Sequence, residues 1–527
     1  MKFKSAIIVG FCLVLVHGMR AQWVPSAAFN ATAPQHRDWR ITGQLEQGYF
    51  SMLSNASFMA SNTLAHPATW LVPLPGRSSP QIDLNAIFED FDDHNAAEAN
   101  ATVTLFNAGF FLGKMRNTFV DFAATEHVKT RIGLPSDLLR LPFTGNATFN
   151  GADAETVDLA PLDVSLLHYR SYSAGVQHKF GERLSAGARI HRLHGFHHLA
   201  IEENRWGLTT DAADWSWSLE GGGRVVSSGL NAIYQANASN QLNSFAEALP
   251  QQLASFNNRG WGMDAGIEMR CTERWSTWLQ FNLGGNIRWT NDVLIYEVET
   301  FKWELDGFDV TNGGSDWMDG ATAISDSLEL WAMQELAAIE AHHLASESQV
   351  AYKAKLPNRI VAGAEYTVLR GDQGGQLSFG GMIECLKQRP MSWSVAINAR
   401  LGNGLQSTLT YGNRFGLVPT AGVSLGVPLG PLMLFAAAEG HQVLDWSHFS
   451  VDHGGERTEW SMPTEAPYFA AQAGLVWRLN WRKPKSVNEA EPLAPFQNST
   501  RSPAFGFDVK LDDEEVQPQP CVLPDGN

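Results

Sequence analysis

Cysteine is scarce: the 527-residue chain holds four. Cys12 falls in an N-terminal apolar run, and Cys271, Cys385 and Cys521 stand far apart. That spacing excludes a disulfide framework and a zinc knuckle, and leaves one optional disulfide open. Basic residues are also short, with 38 Lys+Arg against 55 Asp+Glu and a formal net charge of −17. Such a balance offers no basic surface for phosphates and argues against a nucleic-acid partner. Long hydrophobic runs are missing after the first residues. Apolar residues make up 44% of the chain, but glycine, serine and charge break them up. No later stretch approaches the roughly 20 apolar residues of a membrane helix. A phosphate-binding glycine loop and a dinucleotide fingerprint are absent too.

The start of the chain has a clear layout. Lys2 and Lys4 precede "AIIVGFCLVLV", and "HGMRAQ" follows. A basic start, a short apolar middle and a small residue near the cut make a secretory signal peptide over residues 1–21, with Ala21 last. Phe11 before Cys12 argues against a lipoprotein cut.

Tryptophan and glycine are plentiful, at 18 and 47 residues. So is period-two alternation, the mark of strands with two different environments. In "AQAGLVWRLNW" (471–481), Ala471, Ala473, Leu475, Trp477, Leu479 and Trp481 share one face, while Gln472, Arg478 and Asn480 share the other. "WSTWLQFNL", "SWSVAINARL" and "RIVAGAEYTV" repeat the pattern, with Trp278 breaking it in the first. A soluble sandwich would turn the apolar face to a core, and an outer-membrane barrel would turn it to lipid. Three features favour the barrel. The strands approach the 9–11 residues of a tilted membrane strand. Trp275, Trp289, Trp393, Trp477 and Trp481 stand near strand ends, where amphipathic rings meet headgroups. The polar faces carry arginine, glutamate, histidine and glycine, which suits a wet or plugged lumen. Arg359, Glu365, Asn398, Arg400, Gln472 and Arg478 are the lumen-facing candidates.

The expected fold is all-β: a closed antiparallel transmembrane β-barrel of about 14 strands with helical loop insertions. Candidate strands lie near 101–112, 115–125, 164–180, 184–200, 205–220, 261–271, 275–290, 293–305, 357–369, 374–386, 391–402, 405–414, 417–427, 431–439 and 466–481, with 40–52 a further candidate. Tight turns at 181–183 and 429–431 alternate with long connections. Residues 243–256 and 325–348 have helical patterns. Residues 23–40 and 66–80 are irregular and suit an N-terminal plug. Three regions result: signal peptide 1–21, barrel with irregular or plug segment 22–481, and an acidic, proline-rich tail 482–527 whose composition predicts disorder.

The segments "IDLNAIFEDF", "ATVTLFNAGFFLG", "TFVDFAATEHVKTRIGLPSDLLRLPFTGNATFNG" and "YRSYSAGVQHKFGERLSAGARIHRLHG", with "LPNRIVAGAEY" and "GVPLGPLMLFAAAEG" later, resemble a Bacteroidota family of outer-membrane β-barrels of unknown function. The resemblance covers about residues 25–480. It rests on strand and turn signatures and implies a plan similar to long-chain fatty-acid transporters and to the barrel that shuttles cargo in type IX secretion. The pattern Gln472, Gly474, Trp477, Leu479 looks like the closing-strand signal read by the barrel-assembly machinery, here followed by a tail.

Chemistry-bearing motifs are weak. "GVSLG" (422–426) has the spacing of a nucleophile elbow, but the following "VPLGP" cannot start the helix an elbow needs. In "RIHRLHGFHH", a straight strand puts His191 and His197 on one face and His194 and His198 on the other, too far apart to share a metal. "EDFDDHNAAE" (89–98) lacks the glycine of a calcium loop and reads as a solvated acidic loop. No catalytic residue, metal or cofactor is assigned, and the chain is expected not to be an enzyme. The expected role is an outer-membrane barrel that passes a small hydrophobic or amphipathic molecule or assists a surface secretion system. The alternatives are a non-transporting anchor or scaffold for envelope partners, and a soluble periplasmic β-protein. The expected partners are outer-membrane lipid, the barrel-assembly machinery during insertion, and secretion or envelope proteins.

Overall fold

The computed structural model describes residues 25–29, 36–43, 48–62, 71–72, 81–82, 95–113, 115–144, 155–211, 216–230, 257–305, 346–371, 375–386, 391–402, 404–414, 418–441, 446–453, 456–463 and 468–479. The expected signal peptide 1–21, the tail 482–527, the helix expected at 243–256 and most of the one at 325–348 lie outside these residues. The last residues of that second helix, Ser346–Ser348, form a strand instead. Helix is limited, among the described residues, to α1 (Ser26–Phe29), α2 (His36–Trp39) and α3 (Ser136–Thr144).

Fourteen strands close into an antiparallel barrel. They are β1 (Tyr49–Asn62), β2 (Asn95–Leu112), β3 (Thr118–Leu134), β4 (Asp163–Phe180), β5 (Leu184–Asn204), β6 (Asn258–Arg270) and β7 (Trp275–Trp289). The ring continues with β8 (Arg359–Arg370), β9 (Gln376–Leu386), β10 (Ser392–Arg400), β11 (Gln406–Arg414), β12 (Val418–Leu429), β13 (Leu432–Gly440) and β14 (Tyr468–Arg478). Each strand pairs with its neighbours in sequence. β1 pairs with β2 on one side and with β14 on the other, from Tyr49 opposite Arg478 to Ser61 opposite Tyr468. That last seam leaves no open edge in the ring, as lipid requires of backbone it cannot hydrogen-bond.

The barrel is apolar outside and polar inside. Phe122, Ile190, Met263, Phe281, Phe379, Val395, Ile397, Leu409, Val423, Leu425, Leu434 and Leu475 are exposed around the wall. Thr104, Asp121, Arg189, Glu268, Gln280, Glu384, Thr408, Arg414, Ser424, Glu439 and Gln472 are buried within it. A soluble monomer rarely exposes a continuous apolar patch beyond a few hundred Å². An apolar band on every side therefore rules out the soluble periplasmic alternative and fits a strand surface in lipid.

Short turns gather at one end: 113–117, 181–183, 271–274, 371–375, 401–405 and 430–431. Gly181 and Gly430 take φ of 70° and 64° there, a region that a residue with Cβ avoids. Several much longer connections lie at the other end, between β1 and β2, β3 and β4, β5 and β6, β7 and β8, and β13 and β14. In outer-membrane barrels the short-turn end is periplasmic and the long-loop end extracellular.

The wall is taller on the side of β5 to β8. Strands Trp217–Ser228 and Val293–Leu305 pair with each other above β6 and β7, and Trp217–Ser228 also pairs with the top of β5. Tyr352–Lys355 continues β8 upward against the top of β7. The described parts of 205–220 (205–211 and 216–220) and residues 293–305, expected as ring strands, belong to this extension, because β6 and β7 already fill their places below. The further candidate 40–52 is a ring strand in its second part only: β1 starts at Tyr49 and runs on to Asn62, while residues 40–43 lie inside the lumen. The irregular 66–80 falls in the connection after β1, where Leu71–Val72 pairs with Gln81–Ile82.

Candidate functional site

Residues 25–29 and 36–43 occupy the lumen. Ser26, Ala28, Phe29, His36, Arg37, Trp39, Arg40, Ile41 and Thr42 are all buried. Two short helices and a turn leave many backbone groups unpaired, and the barrel wall pairs them. Gln406 donates to the Phe29 carbonyl at 2.9 Å, and Gln177 to the Thr42 carbonyl at 2.6 Å. The Asp38 carbonyl accepts from Gln280 at 2.8 Å and from Arg359 at 3.0 Å. Ile41 donates its N–H to Gln280 Oε1 at 2.7 Å. Small wall residues make room for large plug residues: a Cβ at Gly380 would strike the Phe29 ring, and one at Gly266 the Ile41 side chain.

The run His36-Arg37-Asp38-Trp39-Arg40 carries the charges that fix the plug. Arg37 meets Asp121 of β3 at 3.1 Å and lies 4.6 Å from the Phe119 ring centroid. Asp38 meets Arg189 of β5 at 2.5 Å, and Arg189 also reaches Asp121 at 3.0 Å. Arg40 pairs with Glu268 of β6 at 2.5 Å and Glu365 of β8 at 2.9 Å, and stacks 4.6 Å over Trp278. Burial works against the Arg40 charge, but Glu268 and then Glu365 outweigh it and raise its pKa. Burial pushes the Asp38 carboxyl up from its ordinary value, against the pull of Arg189. Trp39 sits under Arg359 at 4.2 Å and Arg414 at 5.5 Å. Arg414 in turn pairs with Glu384 at 2.6 Å and Glu439 at 3.3 Å. The plug is thus tied to wall strands around most of the ring.

Above the plug, toward the long-loop end, lies a cavity of about 900 Å³. Asp38, Arg189, Asp264 and Arg359 line its plug side. His127, Tyr169, Ser171, His191 and His198 line the wall, with Leu167, Leu193 and Leu356 as an apolar patch. Its polar groups are held in place. His191 meets Asp264 at 2.8 Å, His127 shares a hydrogen bond with Ser171 at 3.0 Å, and His198 shares one with the Tyr352 hydroxyl at 2.8 Å. The apolar patch continues into a packed cluster of Tyr169, Leu193, Ile287, Trp289, Tyr352 and Leu356.

Arg359, Glu365, Asn398, Arg400, Gln472 and Arg478 all lie on lumen faces of their strands, but they do not form one site. Arg359 and Glu365 hold the plug, as above. Asn398 accepts from Gln406 at 2.9 Å and Thr408 at 3.1 Å, and Arg400 lies one lumen position further down the same strand. Gln472 is buried on β14 away from the cavity, and Arg478 closes the turn beside it by donating to the Gly430 carbonyl. Trp275, Trp393 and Trp477 face outward, at 41%, 41% and 53% exposure. Trp289 does not: it is 0% exposed, stacked on His198 inside the barrel, so it is not a membrane-interface residue. The wall continues upward beyond β7, so Trp289, the last residue of that strand, lies mid-wall rather than at the rim. Trp481 lies outside the described residues.

The histidine faces also differ from the straight-strand reading. Between β4 and β5 the register slips at His168/Tyr169, opposite Gly195–His197. The slip turns His191 and His198 both to the cavity, while His197 meets the outer-face His168 at 2.8 Å. Glu98, read as part of a solvated loop, is buried in β2 and paired with Arg131. Ser424 of the "GVSLG" motif lies within β12, its hydroxyl 3.5 Å from the plug's Ser26 carbonyl. Sequence reasoning missed Arg37, Asp38, Arg40, Asp121, Arg189, Glu268, Glu384, Arg414 and Glu439. The one visible signal was Trp278, the break in an otherwise regular alternation, which turns inward to meet Phe29 and Arg40.

The profile of a family described as "Family of unknown function (DUF5723)" matches residues 44–439. The chain belongs to this family. The DUF5723 match runs from just before β1 almost to the end of β13, and the plug precedes it. Solved structures similar to the chain include a FadL homologue from Pseudomonas aeruginosa, at 11% identity and a TM-score of 0.36, covering 82% of this chain and 90% of that one. They also include the Pseudomonas putida toluene transporter TodX, at 6% identity, a TM-score of 0.34, and 84% and 92% coverage. The translocator domain of the autotransporter NalP from Neisseria meningitidis is similar at 9% identity, a TM-score of 0.27, and 86% and 100% coverage. No curated protein matches the chain. At these identities and scores the likenesses carry no argument about what this barrel does.

Proposed function

We propose that this outer-membrane barrel takes up a small amphipathic molecule from the long-loop end, with the plug residues 25–29 and 36–43 as its gate, and carries out no chemistry on it. The observation that carries this reading is the cavity of about 900 Å³ directly above the plug. Its lining is split: Tyr169, Leu193 and Leu356 offer an apolar wall, and Asp38, Arg189, Asp264, Arg359, His127 and His191 offer a polar side with donors and charges of both signs. A ligand with a polar head and an apolar body satisfies both sides. The volume suits a small molecule rather than a secreted protein chain, which disfavours a secretion role for the lumen. The pinned plug also supports a second reading, a barrel that passes nothing and presents its loops to envelope partners.

Uptake and binding separate the two. The full chain in liposomes is offered medium-chain fatty acids and alkyl sulfonates outside. Binding is read by Trp289 fluorescence beside the cavity, and entry by a probe sealed inside. Binding and entry, with binding weakened in Leu193→Asp, support transport. Absence of both would overturn it in favour of the scaffold reading.

A further inference from the structure

The outer face carries a second feature, unrelated to the lumen. Directly opposed residues on neighbouring strands share a face of the sheet. Across β3 to β7 and the strand Tyr352–Lys355, one such row reads Glu126, Arg170, His194, Arg259, Arg288, Lys353. The next row toward the short turns reads Ala124, Tyr172, Arg192, Trp261, Asn286, Lys355. The row after that is apolar: Phe122, Ala174, Ile190, Met263 and Leu283. Tyr172, Trp261, Ile190, Met263 and Leu283 are exposed, which sets this face outside the barrel. Arg259, Arg288, Lys353 and Lys355 are exposed as well.

The two upper rows therefore form a cationic band lying on the extracellular border of the apolar surface. Neighbouring strands are about 4.8 Å apart, so Arg259, Arg288 and Lys353 make a close comb of charge. Glu126 at one end pairs with Arg170 at 2.5 Å and is the acid of these two rows. Arg192 lies 4.6 Å over the Trp261 ring, and His194, between Arg170 and Arg259 in its row, is buried and adds no exposed charge to the band. The whole chain is acidic at −17, so the band is a local reversal of sign that composition conceals.

We propose that this band docks the phosphate groups of phosphorylated lipids in the extracellular leaflet. The height is right: Tyr172 and Trp261 mark the level of the interface, and the cations stand at and just beyond it. The chemistry is right too, since guanidinium groups bind phosphate oxygens in pairs and neighbouring ammonium groups add charge. Membrane lipid is the source of phosphate that lies at this level against an apolar wall.

The test uses the full chain in phosphatidylcholine nanodiscs, titrated with lipid A and with its dephosphorylated form, and read by native mass spectrometry. Each cation near such a surface contributes about five-fold in affinity at low salt. The variant R259Q/R288Q/K353Q/K355Q is expected to lose about 100-fold or more in lipid A binding. R183Q/R274Q, at exposed short-turn positions, is expected to change nothing. Heat-modifiable gel mobility checks that each variant is folded, and the single variants R288Q and K353Q serve if the quadruple one is not. Equal binding of the phosphorylated and dephosphorylated lipids overturns the proposal, as does full retention in the folded variants. Displacement of lipid A by millimolar inorganic phosphate would overturn the lipid as source.

Discussion

Arg40→Met is the sharpest probe of the plug. Arg40 neutralises Glu268 and Glu365 inside the lumen, and its side chain and that of Glu268 are almost wholly shielded. Methionine keeps the bulk over Trp278 but leaves both carboxylates without their cation. Removing one partner of a buried ion pair costs about 3–5 kcal/mol. The ring strands keep their own hydrogen bonds, so the penalty falls on the seated plug rather than on the barrel. The unseated population should then rise roughly 100- to 4,000-fold. Hydrogen exchange reads this directly at the Ile41 amide, whose bond to Gln280 exists only when the plug is seated. Faster exchange at Ile41, with ring amides unchanged, is the expected result. Unchanged exchange at Ile41 would refute the reasoning, and so would loss of heat-modifiable mobility together with the plug. Adding E268Q to the variant should recover part of the protection.

Gly363→Ala should unseat the plug from the other side, because the new Cβ runs into Trp278, and increased protease cleavage within 25–43 would show it. Val423→Arg, on the exposed apolar face of β12, should destabilise the inserted barrel by about 2–4 kcal/mol in urea titrations in lipid. Trp289→Ala should cost about 3–5 kcal/mol through the void it leaves in the packed cluster, measured the same way, without altering exchange at Ile41. Cys271, free and exposed in the short turn 271–274, should react with an impermeant maleimide only after the outer membrane is opened, in a background where the other cysteines are serine. Labelling on intact cells would invert the assigned orientation.

The barrel was legible because lipid on one side and a wet lumen on the other write themselves as strict alternation. Gln472, Arg478, Leu475 and Trp477 fall on the faces their spacing predicts. Two things were not legible. A register slip leaves no trace in a list of residues, so the faces of His197 and His198 came out reversed. Stacked strands look like ring strands, so 205–220 and 293–305 were counted into the ring and Trp289 was placed at its edge. The plug's chemistry was hidden for a different reason. Arg40 and Glu268 are 228 positions apart, and nothing local to either predicts the other. The cationic band is hidden in the same way, each member being one ordinary residue on its own strand.

The position of the plug in the chain bears on how the molecule is made. Residues 25–43 come before β1, and the ring is sealed where β1 meets β14. Insertion from the N-terminus would bring the segment inside first and close the seam around it last. Its contacts with β3 to β8 become available as those strands pair, and the contacts of Phe29 with Gln406 and of Ser26 with Ser424 arrive near the end. Seating the plug in an open, half-built sheet avoids threading it through a finished cylinder. The ion pairs that hold the plug would then tie successive wall strands together as they pair, and a variant that frees the plug should slow assembly.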